Sequence, residues 1–364
     1  MKLSRLTLYR YQYPLTKPIF TGGVFVKVRE GFFIALTALD YTGWGEIAPL
    51  PHFHPWTMAN ILKEVSTIAR SWQSLSLTVD EKLYHYLRSV GNISPIVLLG
   101  FDSAIRQLVA SVTGKALSSL FCNRPEQGIA VQGIVDSPPA QWPETCSHLI
   151  EAGINTLKLK IGRFQPSLVT EALLSLVNHL PQPVRLRLDV QKYWDLKTAV
   201  NVFKSLRPVH SQIDYVEDPV KKNEEFADFY ALTGIPVGLD VRNETELRGI
   251  LNGNITTHFA VLKPEFWNSW ERYWQVGQKL EARGITPVMS NAFTTEWTIA
   301  WQVLVGSCWH SRTAHGLGTI HQLHSHLFPH SIFQNKNFFL VQEALHCLHQ
   351  LDKQQLAPVL EFTL

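Results

Sequence analysis

From about residue 128 to about residue 316, short β-branched or leucine-rich runs alternate with amphipathic segments of helix length, and most runs end in an ionisable residue. The pattern predicts strands over 129–135, 156–161, 184–190, 213–217, 237–240, 258–263 and 286–290, with a last one near 313–316. Predicted helices between them include 167–179, 197–206, 244–251 and 270–283. Strand–helix alternation at this spacing implies βαβ units and a parallel sheet. Eight such strands exceed a tidy open sheet and match a closed (β/α) barrel. Strand interiors should be apolar, so the charged ends carry the information. The second run ends in Lys158-Leu159-Lys160, the third in Arg187-Leu188-Asp189, the fourth in Glu217-Asp218-Pro219, the fifth in Asp240 and the sixth in Lys263-Pro264. From Lys160 to Lys263 the steps are 29, 28, 23 and 23 residues, each about one βα unit. In a barrel the C-terminal strand ends share one mouth, so five strands deliver Lys, Asp, Glu, Asp and Lys to a single rim.

The earlier part of the chain reads as antiparallel. Strands are expected over 3–13, 31–38 and 44–47, with a turn at Asp40-Tyr41-Thr42-Gly43, followed by helices that include 58–72 and 96–112. The expected architecture is a modified (β/α) TIM barrel, residues 121–319, with an N-terminal α+β capping domain, residues 1–120, completed by residues from about 320 to 364. The 45% hydrophobic and 17% charged content of the 364 residues is that of a folded enzyme-sized chain. A net charge of +3 without a Lys/Arg cluster argues against nucleic acid as a partner. The four cysteines, Cys122, Cys146, Cys308 and Cys347, are scattered. Their scatter argues against a disulfide scaffold and a structural zinc site, and suits a reducing compartment. No signal peptide is read at the N-terminus, and no apolar stretch of membrane-spanning length is expected. The chain reads as cytoplasmic, with a small-molecule carboxylate as its partner; oligomeric state is not set by the sequence.

Asp189, Glu217 and Asp240 make an oxygen-rich site for a hard cation, Mg²⁺, with Mn²⁺ as a chemically similar substitute. Period two puts Lys158 and Lys160 on one face of their strand. Lys158 and a cation nearby would favour at Lys160 the neutral amine that a general base requires. Lys263 arrives three strands further round and should approach from the other side. A proton next to a carboxylate is weakly acidic because its loss creates a dianion, and a divalent cation on the carboxylate stabilises that charge.

With these residues the chain resembles the enolase superfamily, in the subgroup typified by muconate-lactonising enzyme. Within it the chain is most similar to the o-succinylbenzoate synthase family. The resemblance rests on Lys158/Lys160, Asp189, Glu217, Asp240 and Lys263. It rests also on Gly43-Trp44-Gly45-Glu46-Ile47-Ala48-Pro49-Leu50-Pro51, close to a stretch of that family's capping domain. It implies a Mg²⁺-dependent syn-dehydration of 2-succinyl-6-hydroxy-2,4-cyclohexadiene-1-carboxylate to o-succinylbenzoate, a step of menaquinone or phylloquinone biosynthesis. Lys160 would remove the proton and then assist departure of the hydroxyl, Lys263 would stabilise the enediolate, and Lys158 would orient Lys160. Loops at residues 21–24, with Thr21 and Gly22, and at residues 50–53 would close over the succinyl tail. The chain departs from the family at Gln191, where Asn is frequent, and at His52-Phe53-His54, which replaces Gly-Phe-Ser. The subgroup's dipeptide epimerases carry Asp-x-Asp on the last strand. Here Ala314-His315-Gly316-Leu317 holds no acid. An N-acylamino acid racemase, a cycloisomerase and a non-catalytic barrel are the rival readings.

Lys-x-Lys alone also fits a surface pair, and a strand-end acid also fits a helix cap. It is the order Lys, three acids, Lys that favours a site. Asp218 is read as a support for Glu217, and Arg187 equally as a substrate contact or a structural ion pair. Ser290, Asn291 and His315 are candidates for substrate contact at the last strand ends, whereas Trp44 and Trp267 are read mainly as core. Gly22-Gly23 reads as a loop tip. His310, His315, His321, His324, His326 and His330 have no zinc-site spacing.

Overall fold

In the computed structural model, residues 1–364 are described apart from 81, 182, 323–326, 329–332 and 334. β1 (Arg5–Thr21) and β2 (Val24–Ala38) form a long antiparallel hairpin, with Gly22 and Gly23 at its tip at φ 53° and 85°. Both strands outrun their predicted spans because the outer half of the hairpin is largely exposed and lacks a buried alternating face. β3 (Tyr41–Ile47) pairs with β2. α1 (Met58–Gln73) begins in a capping box between Thr57 and Asn60, and α2 (Lys82–Ser89) and α3 (Pro95–Thr113) follow. α3 lies so close to β3 that a side chain on Gly43 or Gly45 would overlap the carbonyls of Ala104 and Gly100, which explains both glycines of the Gly-Trp-Gly-Glu stretch. By length and composition alone α3 could cross a membrane, contrary to the expectation that no segment would, yet it is a largely buried helix of the cap.

β4 (Gly128–Ala130) and β5 (Gly133–Val135) divide the single strand predicted over 129–135. The chain then alternates through α4 (Trp142–Glu151), β6 (Thr156–Lys160), α5 (Pro166–Val177), β7 (Arg185–Asp189), α6 (Leu196–Ser205), β8 (Ile213–Glu217), α7 (Phe226–Thr233), β9 (Val237–Val241), α8 (Glu244–Leu251), β10 (Phe259–Leu262), α9 (Trp270–Glu281), β11 (Thr286–Met289) and α10 (Glu296–Gly306). β5 to β11 form one parallel seven-stranded sheet in sequence order. The eighth strand predicted near 313–316 is reduced to single parallel bridges, His315 to Val131 and Gly316 to Ser290. There the Arg187 guanidinium occupies the Ala314 carbonyl and the Thr313 hydroxyl. α10 is buried on every side, so it lacks the polar face that marks a surface helix in sequence.

β12 (Phe338–Leu340) pairs with β4, α11 (Val341–Cys347) packs on α10, and β13 (Ala357–Thr363) pairs with β1. Among the described residues, the segment after residue 320 rejoins the cap sheet through its last strand. The cysteine expectation is also corrected: Cys122 and Cys308, 186 residues apart, form a disulfide, so the scatter of cysteines loses its value as a sign of a reducing compartment. Cys146 and Cys347 are free and buried.

The cap sheet buries both faces. Leu6, Leu8, Phe32, Ile34 and Leu36 face α1 and α3, while Tyr11, Tyr13 and Phe33 join the barrel core. Two charged residues tie the seam. Arg29, fully buried, donates to the carbonyls of Phe293 and Ala292 on the barrel side and to those of Glu30, Ala48 and Pro49 on the cap side. Glu46 accepts from the Thr295 N–H (3.1 Å), the Thr295 hydroxyl (2.8 Å), the Thr298 hydroxyl (2.6 Å) and the Tyr11 hydroxyl.

Candidate active site

Lys160, Asp189 and Glu217 lie side by side in register on β6, β7 and β8. Asp240 sits near the end of β9, and Lys263 directly follows β10. All five line one cavity of about 450 Å³ together with Lys158, Ser290, Asn291, Thr21 and Gly22. That volume suits a small organic ligand. The cap closes it from above. Phe53 covers the Lys263 ammonium at 5.3 Å and the Arg242 guanidinium at 4.8 Å, and a side chain on Gly22 would collide with His52.

The charges are interlocked. Lys158 Nζ lies 3.0 Å from Asp189 and 2.7 Å from Glu217. Burial opposes its charge, but the two carboxylates outweigh that and push its pKa well above the usual lysine value. Lys263 Nζ lies 2.6 Å from Asp240, whose other oxygen accepts from Arg242 at 2.8 and 3.0 Å. Lys160 Nζ instead meets Asp136, at 3.1 Å. Burial raises the Glu217 carboxyl, and its Oε2 is buried without a hydrogen bond. Asp218 Oδ1 accepts from the Asp240 N–H (3.3 Å), tying the ends of β8 and β9.

Among the described residues, no three acids, histidines or cysteines already stand in a closed metal-holding group, since lysines occupy the carboxylate oxygens. The donor chemistry nevertheless fits a hard divalent cation: three buried carboxylates from adjacent strands, one with an orphaned oxygen. Both sequence departures are accommodated locally. Gln191, at φ 54°, donates its backbone N–H to Asp189 Oδ1 (3.1 Å), a bond that needs no particular side chain. His54 Nδ1 accepts from the Leu50 N–H (2.8 Å), and the His54 N–H returns to the Leu50 carbonyl, so the loop is self-braced.

Two candidates stand outside the cavity lining. Arg187 is 1% exposed and bonds Asp214, Gln132, Thr313 and Ala314, so it ties the barrel closure. His315 is buried in the same closure, its Nδ1 accepting from the Met289 N–H (3.1 Å). Trp44 and Trp267 do not line the cavity either, and Trp267 borders a separate cleft between cap and barrel. His324, His326 and His330 lie outside the described residues, and His310 pairs with Glu281 at the surface. Sequence reasoning missed Arg163, Arg242 and Lys192, which line the cavity, and Asp136, which directly follows β5. Asp136 carried the same strand-end signal as the others, hidden when 129–135 was read as one strand.

His54 and His315 predict an acid sensitivity. Burial, aided by Arg29 at His54 and by Arg187 at His315, lowers each from 6.5 to about 3. Above pH 6.5 neither form differs between native and unfolded chains. Below it the unfolded chain binds protons that the native one excludes, so stability falls as the pH falls toward 3. At pH 5 each histidine should cost at most about 2 kcal/mol. Thermal melts at pH 7.5 and 5 should show a smaller acid-induced loss in His54→Gln than in the parent, and an equal loss would remove His54 as a cause.

Two family models match the chain: "MenC, N-terminal domain" over residues 3–105 and "Enolase C-terminal domain-like" over residues 142–336. The o-succinylbenzoate synthase of Pasteurella multocida (strain Pm70) is 23% identical over 328 residues, 87% of this chain and 90% of that protein. A member of the enolase superfamily from Roseovarius nubinhibens ISM, solved with magnesium, superposes with a TM-score of 0.83 at 18% identity over 100% of both chains. N-succinyl Arg/Lys racemase from Bacillus cereus ATCC 14579 superposes with a TM-score of 0.81 at 15% identity, also over 100% of both. The structural likenesses show the shared fold.

Proposed function

The chain belongs to the enolase C-terminal domain-like family, and from that membership we propose that it is an o-succinylbenzoate synthase, dehydrating 2-succinyl-6-hydroxy-2,4-cyclohexadiene-1-carboxylate. The observation that carries the reading is that Lys160 and Lys263 enter one cavity from β6 and from the end of β10, with Asp189, Glu217 and Asp240 on the three strands between. The match to the MenC N-terminal model and the synthase relative favour this dehydration within the family.

Lys160 Nζ takes the proton next to the carboxylate and returns it to the departing hydroxyl on the same face, giving syn elimination. Lys263 presents its ammonium to the developing negative charge, with Phe53 over it excluding water. Lys158 keeps a buried positive charge against Asp189 and Glu217. Mg²⁺ held by Asp189, Glu217 and Asp240 would supply the charge that stabilises the dianion. Thr21, Gly22 and the 50–53 loop shape the lid over the substrate tail.

A second reading, racemisation of N-succinyl amino acids, has the full-length fold match to a racemase in its favour. The purified protein should form o-succinylbenzoate from the cyclohexadiene in the presence of Mg²⁺ and lose that activity on chelation. Turnover of N-succinyl amino acids alone, or dehydration unaffected by chelation, would overturn the synthase reading.

A further inference from the structure

We infer that Arg163, held by Asp136 beside Lys160, anchors a second, non-reacting carboxylate of the substrate, so that the cavity selects dicarboxylates with an anionic tail. The inference deepens the proposed dehydration and rests on it. Most of the cations facing the cavity are committed to carboxylates. Lys158 is committed to Asp189 and Glu217, Lys263 and Arg242 to Asp240, and Lys192 to Glu246 at 3.9 Å. Two lining cations remain, Lys160 and Arg163, and they share one carboxylate, Asp136, at 3.1 and 2.8 Å. Asp136 is itself outside the lining. Lys160 must be neutral to act as the base, so Arg163 is the group on this wall that keeps a permanent positive charge.

Arg163 is also built to receive an anion. Its Nη2 is used by Asp136, through the carboxylate and through the backbone carbonyl at 3.1 Å. Nε and Nη1 make no hydrogen bond among the described residues, so the guanidinium keeps donors free for a planar carboxylate. The rings of Phe20 and Phe164 lie 5.6 and 4.9 Å from it and fix its position. Phe20 belongs to the hairpin that roofs the cavity, and the Arg163 side chain is 22% exposed, within reach of a ligand entering beneath that roof.

The test compares wild type, Arg163→Met and Arg163→Lys with Mg²⁺ present. Calorimetry measures binding of o-succinylbenzoate and of the same molecule with its tail carboxylate converted to an amide, and kinetics are followed on the cyclohexadiene dicarboxylate. Arg163→Met should weaken dicarboxylate binding and raise KM by roughly 10- to 100-fold, the range of a lost charge-assisted contact, with a smaller change in kcat. Amide binding should stay within about two-fold of wild type, and Arg163→Lys should recover part of the loss. An unchanged preference for dicarboxylate over amide in Arg163→Met overturns the inference. A wild type that binds the dicarboxylate preferentially but does not dehydrate the cyclohexadiene overturns the reaction assignment and leaves the anion anchor standing.

Discussion

Lys160→Ala is expected to lower kcat by at least about 10²- to 10⁴-fold while KM stays within a few-fold of the parent value. Of the four lysines that line the cavity, Lys158 holds Asp189 and Glu217 and Lys263 holds Asp240, whereas Lys160 holds Asp136 and Lys192 faces Glu246, both outside the candidate ligand set. Removing it takes away the proton acceptor and leaves Asp189, Glu217 and Asp240 with their partners. Lys160→Arg separates the base from its charge, since a guanidinium keeps the positive group but does not release a proton in the working range. Both variants should be equally impaired in steady-state assays with Mg²⁺ and should melt near the parent temperature. A normal kcat in either removes proton abstraction by Lys160 from the mechanism.

Arg29→Met should destabilise the protein by about 3–5 kcal/mol, since each buried acceptor left without a donor costs about 1–3 kcal/mol and some of them can relax. Arg29 is fully buried, and its guanidinium is the shared donor for five carbonyls drawn from the cap and from the segment after β11. Methionine fills much of the volume but leaves those carbonyls without their donor in a site that water cannot easily reach. Ala292 and Phe293 line the cavity, so the loss should reach the site as well. Denaturant unfolding followed by tryptophan fluorescence should show a lower midpoint, with turnover reduced even where the protein remains folded. A loss under about 1 kcal/mol would mean that the seam is held elsewhere, with Glu46 and its three barrel-side bonds the next place to look.

The barrel strands and the charged strand ends were legible because both are local properties. The two-residue period puts Lys158 and Lys160 on one face, and the βα spacing brings Asp189, Glu217, Asp240 and Lys263 to one rim, where the structure places them around a single cavity. Asp136 was legible in principle and lost to one strand boundary. Arg187 and His315 passed the same local test, yet the structure uses them to close the barrel, because the short segment at residues 313–316 needs side-chain and backbone partners that a full strand would have supplied.

Periodicity, turn chemistry and the order of ionisable residues along the chain thus determined the parallel β/α core, the antiparallel start and the set of groups that could meet at its rim. Each of these depends on neighbours within about one βα unit. Only the tertiary structure decided which charges pair, that Cys122 joins Cys308 across 186 residues, that Arg29 and Glu46 bind cap to barrel, and that Arg163 stands beneath the Phe20 hairpin. Those pairings join segments far apart in the chain, and they are set by packing and burial at the seam, which no local pattern encodes.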